Sequence, residues 1–245
     1  MLSYESSKCV LQNLNLDTRG QIDRQIPSLQ KLNSTIPFTL DYVNLESRGC
    51  WRINDMTWFF HDKKIKMWRN EICLKKPIEI PKNSGEKLYE KINLYYLRKG
   101  TKIRSFHFRK FPDCLLDQFR NLQDHIVYCE KVVAELFDVH PFLEEPWIKS
   151  ASELSLSYHE FLHQPVQVYL LKLQNRHIHL EWSPVTFHVQ RQNFEWIPVI
   201  VEHWKATNRP IGSTLTAPIL ENGEIKEIID NLKIQIPSAA DSEIR

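Results

Sequence analysis

Glycine is the scarcest means of bending this chain. The 245 residues include six glycines, Gly20, Gly49, Gly85, Gly100, Gly212 and Gly223, and no two stand closer than eleven positions. Phosphate-cradling loops and the nucleophile elbow of serine hydrolases need glycines roughly two to five positions apart, where the backbone must approach a ligand or turn sharply. Dinucleotide-binding, P-loop and serine-hydrolase chemistry of those kinds are excluded. The mass saved on glycine goes into 12 Phe, 8 Tyr and 7 Trp, and with 42% apolar and 25% charged residues the composition is that of a globular chain with a sizeable core.

Charge is distributed unevenly. The net charge of +2 hides 21 Lys/Arg against 11 Asp/Glu in residues 1–110 and 11 against 19 thereafter; residues 63–110 alone hold 15 basic and 4 acidic side chains. Five cysteines, Cys9, Cys50, Cys73, Cys114 and Cys129, are scattered without a CxxC pair. Neither a disulfide framework nor a zinc ribbon is indicated, and a reducing cytoplasmic or nuclear setting is expected. The start of the chain lacks the apolar stretch of a signal peptide, no run is long enough to span a membrane, and the Asn33-Ser34-Thr35 sequon is expected to be silent.

Along the chain the hydrophobic period changes once. Residues 2–36 read as three short helices, capped by Ser3, capped at Asp17-Thr18, and opened by Pro27. Beyond Pro37 the period becomes strand-like at Phe38, Leu40 and Tyr42, at Trp51 to Ile53, and in a hairpin of Met56 to Phe60 and Ile65 to Trp68. Ser84 predicts a helix start with Leu88, Ile92, Tyr95 and Tyr96 on one face, and Gly100 its end. Ile103 to Phe108, Leu154 to Tyr158 and Ile178 to Trp182 alternate as strands. Helical spacing predicts helices over Leu116 to Phe137, at Phe194 to Trp204 and at Ile225 to Leu232, the last after an Asn222-Gly223 turn.

Three constellations could carry chemistry. His159-Glu160-Phe161-Leu162-His163 is a literal HExxH, which on a helix places two imidazoles on a zinc ion and a glutamate on its water, with Glu181 or Glu195 as third ligand. Here an alternating strand precedes it and Pro165 follows, so a strand end with surface histidines is favoured. His177 and His179 share one strand face, opposite Ile178 and Leu180, and His125 and Cys129 stand one helical turn apart without a second ligand pair. The segment Lys63, Lys64, Lys66, Arg69, Lys75, Lys76 and Lys82, interleaved with Trp58, Phe59, Phe60 and Trp68, has the make-up of a single-strand nucleic-acid surface. The favoured alternative is a hairpin with its aromatics in the core and its lysines wet.

Leu2-Ser3-Tyr4-Glu5-Ser6, Val10-Leu11, Leu14, Arg19, Ile22 and Pro27-Ser28-Leu29, followed by Ile36-Pro37-Phe38, Trp196, Val201 to Trp204, Ile211-Gly212 and Ile225 to Leu232, resemble the nematode-expanded F-box-like proteins with a C-terminal domain of unassigned function. Ser3 stands where such boxes usually carry proline, and no tryptophan closes the box. The resemblance implies that Leu2, Val10, Leu11, Leu14 and Ile22 face a Skp-type adaptor of a cullin ubiquitin ligase, with a protein substrate bound further along. The expectation is an α+β chain. Residues 1–37 form an F-box-like three-helix module, 38–236 a mixed α/β domain with irregular leucine-rich-repeat-like strands as one form of its sheet, and 237–245 a frayed tail. Its function is expected to be non-enzymatic protein interaction, without cofactor, metal, membrane or nucleic acid. A zinc hydrolase through His159, Glu160 and His163 and nucleic-acid binding through residues 63–110 are the alternatives.

Overall fold

In the computed structural model the described residues are 3–46, 49–61, 63–70, 72–73, 76–79, 81, 85–108, 126–135, 142–158, 166–182 and 196–216. They are α+β, and they fall into two compact units, Met1–Val132 and Val133–Arg245.

The first unit begins with α1 (Tyr4–Asn13), α2 (Leu16–Gln25) and α3 (Pro27–Thr35). The Ser3 side chain accepts from Ser6 N–H at 3.1 Å and caps α1. The cap of α2 is Asn15, whose Oδ1 accepts from Thr18 N–H at 2.9 Å, in place of the expected Asp17-Thr18; Asp17 lies inside the first turn, where its charge suits the helix dipole. Pro27 opens α3, where its missing N–H costs nothing.

The strands β1 (Thr39–Glu46), β2 (Cys50–Ile53), β3 (Met56–His61), β4 (Lys64–Arg69) and β5 (Ile72–Cys73) form an antiparallel meander, with β6 (Ile78–Glu79) also on β4. The helix α4 (Gly85–Tyr96) then returns the chain to β7 (Thr101–Phe108), which pairs with β1 in parallel. The helix ends at Tyr96, short of the expected Gly100, which at φ 83° makes the turn into β7, where a side chain would strain the backbone and press on Pro37. In β1 burial moves from Leu40 to Val43, and in β7 from Ile103 to Phe106, so both strands slip their alternation at the same level. The β2–β3 turn causes this in β1. Asn54, left-handed at φ 50°, accepts the N–H groups of both Asp41 and Tyr42 on Oδ1, at 3.0 and 3.1 Å, and donates its own N–H to Tyr42 at 2.8 Å.

Residues 126–135 overturn one expectation. Ile126–Glu135 is a strand, β8, where helical spacing predicts a helix over Leu116 to Phe137; residues 116–125 and 136–137 lie outside the described residues. Cys129, Val132 and Ala134 are its buried positions, another slipped alternation, and such a slip imitates the three-residue step of a helix. Ile126, Val127, Tyr128, Val132 and Val133 are β-branched or aromatic, and sheet packing prevails.

In the second unit β9 (Glu153–Tyr158), β10 (His177–Trp182) and β11 (Thr214–Thr216) pair in parallel, with α6 (Val166–Leu170) and α7 (Trp196–Ala206) on the connections and α5 (Pro146–Lys149) ahead of them. Leu154, Leu156, Ile178, Leu180, Trp147, Ile148 and Ile200 fill its core. Buried Asn175 donates to the Ile148 and Ala151 carbonyls at 2.7 and 2.8 Å, and Arg209, stacked on Trp204 at 4.4 Å, donates to the Leu173 and Asn175 carbonyls. The turn and helix expected after Asn222, and the tail, lie outside the described residues.

Candidate functional site

Arg19 is the most heavily bonded link between the three N-terminal helices and the start of the strands. Arg19, 2% exposed, donates from Nε to Asn33 Oδ1 at 2.8 Å, from Nη2 to the carbonyls of Asn33 and Ile36, and from Nη1 to the Pro37 carbonyl. Its guanidinium lies 4.1 Å from the Phe38 ring centroid, and Arg98 of the α4–β7 turn lies 3.9 Å from the same ring and donates to the Asn33 carbonyl. Burial and its like-charged neighbour Arg19 pull the Arg98 guanidinium down to about 10. Asp23 accepts from the Tyr95 hydroxyl at 2.9 Å and offsets part of this positive charge. The sequon residue Asn33 is fully buried in the clasp. The contacts of Arg19 with Phe38 and of Arg98 with Asn33 cross the expected boundary between residues 37 and 38.

Around that clasp the expected adaptor-facing residues separate. Leu11 is 1% exposed and packs into the unit's own core, while Val10 is 48% exposed. Leu14 and Ile22 are half-buried, and Leu2 lies outside the described residues. Tyr4 and Ile26, which sequence reasoning did not nominate, are also displayed.

A cavity of about 290 Å³ opens where the α1–α2 connection faces the β2–β3 turn. Trp58 and Tyr96, 5.9 Å apart between ring centroids, supply its aromatic side, and Trp51 backs both at 5.5 Å. Leu16, Ile53 and Met56 give apolar walls; Asn15, Asp17, Asn54 and Asp55 supply the polar lining. Arg69, across β3–β4 from Met56, joins the two carboxylates, reaching Asp17 at 2.5 Å and Asp55 at 3.1 Å. Burial pushes the Tyr96 phenol up to about 12, so it stays protonated. The residues come from four separate segments, so no local motif marks them. The one legible signal is Asn54-Asp55, a turn dipeptide between apolar runs.

The aromatic–lysine hairpin divides differently from expectation. Register places Trp51, Ile53, Met56, Trp58, Phe60, Ile65, Met67 and Arg69 on one face, towards α4 through the Phe60–Tyr89 and Trp58–Tyr96 contacts. Arg52, Thr57, Phe59, His61, Lys64, Lys66 and Trp68 share the other. Phe59 and Trp68 are thus on the lysine side, in an edge-to-face pair at 6.2 Å, because strict alternation sends neighbouring aromatics to opposite faces. Lys75 and Lys82 lie outside the described residues.

His159, Glu160 and His163 lie outside the described residues, as do Glu195 and His125; β9 ends at Tyr158, directly before the motif. Among the described residues no group of three His, Cys, Asp or Glu side chains is placed to hold a metal ion. His177 Nδ1 lies 3.0 Å from Thr214 Oγ1, and His179 Nε2 lies 3.7 Å from Glu153 Oε1, so both sit within the polar face of the parallel sheet. Cys129 is buried, and burial raises its thiol pKa. No described helix is long and apolar enough to cross a membrane. The chain matches no protein-family model, no curated protein and no solved structure.

Proposed function

We propose that this chain is a non-enzymatic interaction protein whose N-terminal helices dock a Skp-type adaptor in the manner of an F-box, while the strand-rich remainder receives a protein substrate. The observation that carries the reading is the division of labour in α1–α3. Arg19, Asn33 and Leu11 anchor the helices inward, while Val10, Tyr4 and Ile26 remain displayed, with Leu14 and Ile22 half-exposed beside them. A rigidly held helix set with outward apolar side chains loses little conformational entropy on binding. Leu11 serves the fold in this reading, so the adaptor surface rests on Val10, Leu14 and Ile22, with Leu2 ahead of them. The parallel strands of the second unit, with connections of unequal length, suit an irregular leucine-rich-repeat-like surface. Capture of the full chain by a purified Skp adaptor tests the reading. Wild type should bind and Val10→Asp should not, while Glu5→Gln behaves as wild type; failure of wild type to bind contradicts it.

A second reading is favoured by the hairpin register alone. Arg52, Lys64 and Lys66 share a face with Phe59 and Trp68, the combination that binds single strands by phosphate contact and stacking. Arg52 is committed in part to the Asn54 carbonyl and the Tyr42 ring, which leaves the face less positive than the sequence suggests. Single-stranded oligonucleotide binding that weakens steeply with salt and is lost in Lys66→Glu would support this reading; salt-independent or absent binding would remove it.

A further inference from the structure

The cavity between the α1–α2 connection and the β2–β3 turn has a composition that selects its ligand. Its inner side is aromatic, with Trp58 and Tyr96 in the wall and Trp51 behind them. Its flanks are the aliphatic Leu16, Ile53 and Met56. Its rim carries two carboxylates, Asp17 and Asp55, with side chains 53% and 44% exposed. One cation, Arg69, serves both, so the three groups sum to one negative charge. The Tyr96 hydroxyl makes no hydrogen bond to any described residue and is held as a neutral phenol.

We infer that this cavity is a subsite for a lysine side chain of a bound protein. Aromatic faces attract ammonium groups through their quadrupole, and the attraction grows as the group is desolvated. Aliphatic walls suit the lysine stem, which buries its methylenes while the charged end stays near polar groups. The carboxylate excess at the rim supplies the remaining charge complementarity and repels acidic partners. The walls are also firmly held. Asn54 is locked by three hydrogen bonds to β1, Arg69 ties Asp17 to Asp55, and Trp51, Trp58 and Tyr96 pack against one another. At about 290 Å³ the site lies at the small end of ligand clefts and has room for one long side chain. The inference goes beyond the adaptor proposal and does not depend on it, because the cavity lies in the first unit and needs no adaptor to form.

The test uses the full-length chain with its tryptophan indoles labelled with nitrogen-15 and two capped tripeptides, acetyl-Gly-Lys-Gly-amide and its norleucine counterpart. The lysine peptide should shift the Trp58 indole resonance saturably, and the uncharged norleucine peptide should bind at least about fivefold more weakly. Asp55→Asn should weaken the lysine peptide by about fivefold, as should Asp17→Asn, with near-ultraviolet circular dichroism unchanged. Added salt should weaken binding in wild type more than in either variant. No saturable shift with the lysine peptide overturns the inference. So does equal binding of norleucine, which would make the cavity a plain apolar cleft, or undiminished lysine binding in both folded carboxylate variants. Adaptor capture is measured separately, so failure of one claim leaves the other standing.

Discussion

Arg19 is the residue on which the first unit turns. Its guanidinium satisfies three backbone carbonyls and one side-chain oxygen around the α3–β1 junction and covers Phe38. Lysine supplies one donor centre in place of the fork, so Arg19→Lys should cost about 3 kcal/mol in urea unfolding, as buried carbonyls lose their donors. Asn54 is a second such residue. Asn54→Ala removes the acceptor for two β1 N–H groups and keeps a side chain at positive φ, a loss of about 2–3 kcal/mol, whereas Asn54→Gly should lose less because the strain goes with the side chain. His107 gives the chain a pH dependence. Burial, and then the charge of Lys131, lower its pKa, while its Nε2 lies 2.8 Å from Ser105 Oγ and its ring packs on Tyr42. The unfolded chain binds that proton first. Stability contributed by His107 is therefore complete above its unfolded value near 6.5 and falls as pH drops through it towards the lower folded value. Urea midpoints should decline from pH 7.5 to 5.5, and His107→Gln should flatten that decline.

At the scale of elements, legibility followed whether local spacing had one meaning. Helix α1 is marked by its Ser3 cap, α3 by Pro27, and α4 by its tyrosine face, and the hairpin of β3 and β4 by two apolar, aromatic-rich runs flanking His61 to Lys64. Strand β8 reads as a helix because Ile126, Cys129 and Val133 fall at helical spacing, whereas in the strand Cys129, Val132 and Ala134 are the buried positions. The Asp17 to Asp55 rim and the Arg98 to Phe38 contact could not be read at all, since they join residues far apart in sequence. For α1 the structure separates two neighbouring apolar residues by role. Leu11→Ala should cost about 3 kcal/mol, the usual range for a buried leucine, while Val10→Ala should change stability by less than about 0.5 kcal/mol. Paired thermal unfolding curves check both.

For the whole molecule, the helical module and the first sheet belong to one compact unit despite the change of hydrophobic period at Pro37. Phe38, Leu40 and Ile36 are buried at their junction, and Arg19 reaches across it. A chain beginning at residue 38 should fail to give a cooperative unfolding transition, because Phe38 would lose the Arg19 guanidinium that covers it and Arg98 the Asn33 carbonyl it donates to; retention of a native-like transition would show that the module is dispensable to the fold. The composition argument from few glycines and many aromatics takes physical form here, with Trp51, Trp58, Tyr95, Tyr96 and Phe38 forming a layer between α4 and the strands. On the proposed account that layer holds α1–α3 rigid for a partner. Equilibrium binding of purified Skp adaptor to wild type, Val10→Asp and Leu11→Ala tests this most directly. The account predicts binding by wild type, loss with Val10→Asp at unchanged stability, and retained binding by whatever fraction of Leu11→Ala is folded. Binding that is absent in wild type, or untouched by Val10→Asp, would contradict it.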